Sequence, residues 1–124
     1  MTGAPLFREL LEKLLQETPG ARSATLMGFD GIAIDTCDAP AAGGNEQAAA
    51  VELGAIASQL RRAAESLGAG EVREVTLETD GMVTVLRPLT TEYFVALTVG
   101  PDGFAGKGRY LMRVLAPKLV AELS

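Results

Sequence analysis

The chain has 124 residues, a net charge of −5 and a pI near 4.7, with 48% apolar and 22% charged residues. That is one domain's worth of chain, able to bury a core and too apolar for disorder. The acidic balance and the six aromatic residues, with no Trp, argue against nucleic acid and anionic membrane surfaces as partners.

The first 17 residues read MTGAPLFRELLEKLLQE. Pro5 suits the first turn of a helix, where its missing N–H costs nothing. Leu6, Phe7, Leu10, Leu11, Leu14 and Leu15 then form an apolar stripe opposite Arg8, Glu9, Glu12, Lys13 and Glu17. Charge interleaves the apolar residues, so the segment reads as a helix of the fold and not as a signal peptide. Thr18, Pro19 and Gly20 end it.

Residues 21–36 predict a hairpin turning at Asp30-Gly31, with Ala24 to Met27 before the turn and Ile32 to Ile34 after it. Cys37 to Asn45 reads as a flexible loop. A second helix is expected from Glu46 to about Leu67, capped by Asn45 and closed by Gly68 or Gly70. On it Leu53, Ile56, Leu60, Ala64 and Leu67 share one face. Ala50, Gly54, Ala57 and Ser58 make another face unusually small. A Gly inside a helix costs about 1 kcal/mol relative to Ala, so Gly54 asks for a packing reason, against the sheet or against a second helix.

Residues 72–99 then predict a meander. Val72 to Thr79 is its first strand, Asp80-Gly81 turns it, Met82 to Leu86 returns, and the nearly continuous apolar run Tyr93 to Val99 is a central strand covered on both faces. Gly100 to Gly108 reads as a flexible connection. The last helix directs Leu111, Val114, Leu115, Leu119 and Leu123 inward, with a local kink at Pro117 where the bond to the Arg113 carbonyl is lost. The order α-β-β-α-β-β-β-α describes an α+β domain over residues 1–124: a five-stranded antiparallel sheet with three helices.

Chemistry is sparse. The chain has no His, which removes the commonest general base, the usual triads and most zinc sites. Cys37 is the single cysteine, so no internal disulfide forms, as suits a reducing cytosol. Beside a loop it could be a reactive thiol, although an incidental thiol at a strand end accounts for it better. GPDGFAGKGR lacks the first glycine of a phosphate loop, with Pro101 in its place, and has Gly108 where the Ser or Thr belongs. Glu74, Glu78 and Asp80 fit a solvated strand edge. Arg61 and Arg62 could reach an acidic partner or a nucleotide phosphate in a bound GTPase, or simply line a solvated helix face.

GFDGIAID, VELGAIASQLRRAAESLG, VTLETDGMVTVLRPLTTEYFVALTV and GKGRYLMRVLAPKLVAEL, in that order, resemble the roadblock (dynein light chain) family over nearly the whole chain. They are most similar to bacterial stand-alone roadblock proteins of the Mgl polarity type. The resemblance implies a cytoplasmic homodimer with antiparallel central helices and first meander strands joined into one continuous sheet. Its seam would contain Ala50, Gly54, Ala57, Ser58, Arg73, Val75 and Leu77. It further implies a non-enzymatic adaptor or regulator whose partners are a Ras-like small GTPase, a paralogous roadblock protein or a polarity response regulator. Some relatives stimulate GTP hydrolysis, so a GTPase-activating protein is the alternative; a small-molecule sensor is the second. No cofactor, metal or membrane partner is implied, and no catalytic arginine can be matched.

Overall fold

A computed structural model describes residues 6–124. Pro5 lies outside the described residues. The elements are α1 (Phe7–Glu17), β1 (Ala21–Gly28), β2 (Ala33–Asp38), α2 (Glu46–Ser66), β3 (Val75–Glu78), β4 (Val83–Pro88), β5 (Tyr93–Val99) and α3 (Ala105–Leu123). All strands pair antiparallel in the order β2-β1-β5-β4-β3. The apolar run Tyr93 to Val99 is therefore the middle strand, buried on both faces as its pattern requires.

Alternation along the strands builds two cores. Val95, Leu97 and Val99 of β5, with Ala24, Leu26 and Val85, meet Leu11 and Leu14 of α1 and Leu111, Met112, Leu115 and Leu119 of α3. Phe94, Ala96, Met27 and Leu86 meet Ala50, Leu53 and Ala57 of α2 on the opposite face. Two helices thus cover one face of the sheet and one covers the other. Buried hydroxyls on the α2 face satisfy each other across strands: Thr84 and Thr98 are 2.9 Å apart, Thr25 and Thr36 2.7 Å.

Several local expectations change. The first hairpin does not close with a two-residue turn. Gly28 N–H donates to the Ile32 carbonyl (2.9 Å), Gly31 takes φ +87°, and Ile32 N–H donates to Asp30 Oδ1 (3.0 Å), so residues 29–32 form a wider, side-chain-braced loop. β2 runs on through Cys37 to Asp38, which places the cysteine inside a strand. The first meander strand is only Val75–Glu78; the chain from Gly68 to Glu74 instead travels from the end of α2 to the sheet edge. Val114 of α3 points outward, and Met112 takes the inward place expected of it. Helix α3 continues through Pro117, which is exposed, so water can reach the Arg113 carbonyl that the proline leaves without a donor.

The 100–108 connection is packed, not loose. Gly100 N–H donates to the Gly20 carbonyl (2.9 Å) and Phe104 N–H to the Pro19 carbonyl (2.8 Å). A Cβ on Gly108 would overlap Leu97 Cδ2. This glycine lets α3 sit tight against β5, which explains the GKG wording without an anion.

Candidate interaction surface

The described residues contain no group of His, Cys, Asp or Glu arranged to hold a metal, and no buried side-chain polar atom without a partner. No described helix is long and apolar enough to cross a membrane. What the fold exposes is a set of surfaces, and α2 with the neighbouring sheet edge carries one that is apolar, with Ile56, Leu60, Leu67 and Leu77 exposed.

Helix α2 ends in a tight cap. Gly68, at φ +63°, donates to the Glu65 carbonyl (3.1 Å), and Ala69 donates to that of Ala64 (2.9 Å). This is the paired closure a C-terminal glycine permits. The start departs from expectation. Asn45 makes no side-chain cap; the Glu46 carboxylate does the work by accepting from Gly43 N–H and Gly44 N–H, both at 2.9 Å. Burial would push this carboxyl up. The N–H groups of Gly43, Glu46 itself and Gly44 outweigh it and hold the carboxyl below its ordinary range.

Of the two packing reasons the sequence left open for Gly54, the structure shows the sheet. Ala50, Gly54 and Ala57 are buried inside the chain, against the sheet. A Cβ at Gly54 would lie 2.8 Å from Phe94 Cε2, so the small stripe makes room for that ring. Within one copy these three residues therefore face the sheet. Of the larger aliphatic residues, Leu53 joins them in the core, while Ile56 is 47% exposed, Leu67 80%, and Leu60 is exposed between them. Of the other expected seam residues, Ser58 is half-buried, Arg73 exposed, Val75 packed beside α2, and Leu77 exposed on the edge strand. Among the described residues β3 pairs only with β4, so none of them covers its other edge.

Arg61 and Arg62 part company. Arg61 donates to the carbonyls of Thr90 (2.7 Å) and Thr91 (3.2 Å), and its guanidinium lies 4.0 Å from the centre of the Phe29 ring. It clasps the β4–β5 connection to α2 and to the first hairpin. Arg62 is exposed. Beside Arg61 a groove of about 800 Å³ opens between the end of α2 and the β4–β5 connection, lined by Glu65, Glu71, Arg73 and Arg87 among others. Charged side chains of both signs share its walls with Val72, Pro88 and Leu89, and the described residues supply no buried, unpaired polar group to orient a small molecule there.

Cys37 is buried. Its Sγ lies 3.5 Å from Arg8 Nη1, while Arg8 also pairs with Asp35 and donates to the Thr36 carbonyl. Burial pushes the thiol up; Arg8 acts in the opposite sense without reversing it. That is the setting of an inert thiol, not of a nucleophile.

Periodicity also missed the outer surface of α3 and its approach, where Phe104, Tyr110 and Val114 are exposed. Its signal was present as Lys and Arg interleaved with aromatic and aliphatic residues through GKGRYLMRVLAPK.

The Roadblock/LC7 domain model matches residues 7–99. The crystal structure of MglC from Myxococcus xanthus is 42% identical, with 94% of this chain and 98% of that one covered and a TM-score of 0.68. The gliding protein MglB from Thermus thermophilus is 23% identical, covers 98% and 93%, and has a TM-score of 0.83. A Roadblock/LC7 domain from Streptomyces avermitilis is 23% identical, covers 93% and 95%, and has a TM-score of 0.79. The last two similarities bear on fold alone. None of the curated proteins matches the chain.

Proposed function

We propose that this chain, which belongs to the Roadblock/LC7 domain family, is a non-enzymatic homodimeric adaptor in a bacterial Ras-like GTPase polarity circuit. It would be a single cytoplasmic unit over residues 1–124 that works by protein–protein binding. The observation that carries this reading is the exposed aliphatic flank of α2, Ile56, Leu60 and Leu67, beside an unpaired β3 edge carrying Leu77. Val75 of β3 packs against the α2 layer, so helix and edge strand adjoin. Exposed apolar residues and an open strand edge are both liabilities that a second copy removes at once, by pairing β3 with β3 and α2 with α2. The seam then consists of Ile56, Leu60, Leu67 and Leu77, with Ser58, Arg73 and Val75 at its margins. Ala50, Gly54 and Ala57 lie underneath it as support. The likeness to MglC supports placement in an Mgl-type system.

Light scattering of the purified chain should give twice the chain mass at micromolar concentration. An Mgl-type GTPase loaded with GTP should bind the dimer, and its single-turnover hydrolysis should be unchanged. Acceleration of hydrolysis would replace the adaptor with a GTPase-activating protein. A monomeric mass at all concentrations would overturn the seam.

A further inference from the structure

We propose that the outer face of α3 is a second docking surface, for an acidic amphipathic helix of a partner protein. Charge in this molecule is segregated. Helix α3 carries four of the chain's 11 Lys and Arg (Lys107, Arg109, Arg113, Lys118) and one of its 16 Asp and Glu (Glu122), so it bears +3 while the remainder bears −8. Of the four cations only Arg109 is paired, with Glu74; Lys107, Arg113 and Lys118 have no carboxylate partner among the described residues. Arg113 is 5.9 Å from the centre of the Tyr110 ring, laid toward an aromatic instead of an acid.

The cations border an apolar strip. Tyr110 is 57% exposed and Val114 also exposed, and Phe104, just before the helix, is 61% exposed. At 100° per residue Gly106, Tyr110, Pro117 and Ala121 fall along the middle of the exposed face. Lys107, Val114 and Lys118 fall on one flank, and Arg109 and Arg113 on the other. The strip from Gly106 to Ala121 is about 22 Å long, enough for roughly four turns of a second helix. The Phe104 ring lies over Gly106 at one end, while Pro117 and Ala121 keep the rest low, so a helix can lie along it with Tyr110 as the central anchor.

Charge complementarity selects the occupant. Cations on both sides of an apolar strip fit a helix whose apolar stripe is edged by Asp and Glu. A second copy offers no such helix. Its α1 and α2 carry acidic and basic residues together. An anionic lipid surface would meet the −8 of the remaining molecule at short range. The face lies across the sheet from α2, so it is open whether or not α2 and β3 are covered, and the inference stands or falls apart from the proposed dimer.

The probe is a fluorescein-labelled 18-residue helical peptide with Leu at i, i+3, i+4 and i+7 and Glu flanking them. Its controls are a peptide with Lys in place of Glu and a scrambled peptide of the same composition. Anisotropy should show saturable, salt-sensitive binding of the Glu peptide alone. Lys107→Glu with Lys118→Glu should weaken it about tenfold, the size of two exposed charge reversals. Tyr110→Ala should weaken it by a similar factor at unchanged salt dependence. All these residues are exposed, so an unchanged melting profile confirms that each variant is folded. Failure of the Glu peptide to bind, or equal binding of the Lys peptide, overturns the proposal. So does binding to vesicles of one-third phosphatidylserine in place of the peptide, or a fall in oligomer mass caused by the lysine reversals.

Discussion

Single side chains here do work that their residue type alone does not announce. Cys37 is shielded in β2, with burial raising its thiol and Arg8 lying over it. An aromatic disulfide reagent should label the native protein about a hundredfold more slowly than the chain in concentrated guanidinium, because labelling waits on local opening. Rapid native labelling would show that the thiol is accessible. Glu46 makes a pH-dependent contribution whose sign follows from its environment. Its carboxyl is held below the ordinary range in the folded chain. Its contribution is therefore complete above the ordinary glutamate value, near 4.3, and is lost as pH falls through the lower folded value. Glu46→Gln should cost about 1–2 kcal/mol at pH 7, the scale of hydrogen bonds to a charged acceptor. Urea midpoints of wild type and variant should converge as pH falls below that lowered folded value; a gap of constant size would mean that charge is irrelevant to the cap.

At the scale of elements, α2 shows how a helix is shaped by what it lies on. Phe94 rises from the middle strand and is fully buried, and only a residue without a Cβ fits above its ring. Gly54→Ala adds a methyl 2.8 Å from Phe94 Cε2. Crowding of this kind costs about 1–3 kcal/mol, against a helix-propensity gain of about 1 kcal/mol, so the net effect should be a loss of about 1 kcal/mol in denaturant unfolding. Phe94→Leu in the same background should recover part of it. A more stable Gly54→Ala protein would refute the packing account. A substitution here acts on the fold first and on any association only through it. The same logic governs α3. Its approach to β5 depends on Gly108, and the Leu97 side chain occupies the space a Cβ would need. Hydrophobic spacing found both helices, but it could not rank two apolar faces of α2, since small and large aliphatic residues both recur at three and four.

For the whole molecule, the consequence is a separation of faces. The α1 and α3 layer closes one side of the sheet, and the outer side of α3 carries the segregated positive charge. The α2 side carries the exposed aliphatic flank and borders the open edge. Ile56→Glu with Leu60→Glu should halve the mass seen in light scattering and leave the monomer folded by circular dichroism, since neither side chain belongs to a core. Persistence of the dimer would place the seam elsewhere. The sequence by itself determined the element order, the central place of residues 93–99 and the absence of histidine chemistry. Each follows from local periodicity or composition, and none of the three depends on what packs against what. Tertiary structure decided which face of α2 is inside, that Arg61 is a clasp while Arg62 is exposed, and that Cys37 is buried in a strand. Those outcomes depend on contacts between residues far apart in the chain: Gly54 with Phe94, Arg61 with Thr90, Arg8 with Cys37. No spacing within one element encodes such contacts, because the partner's shape becomes available only when the sheet assembles.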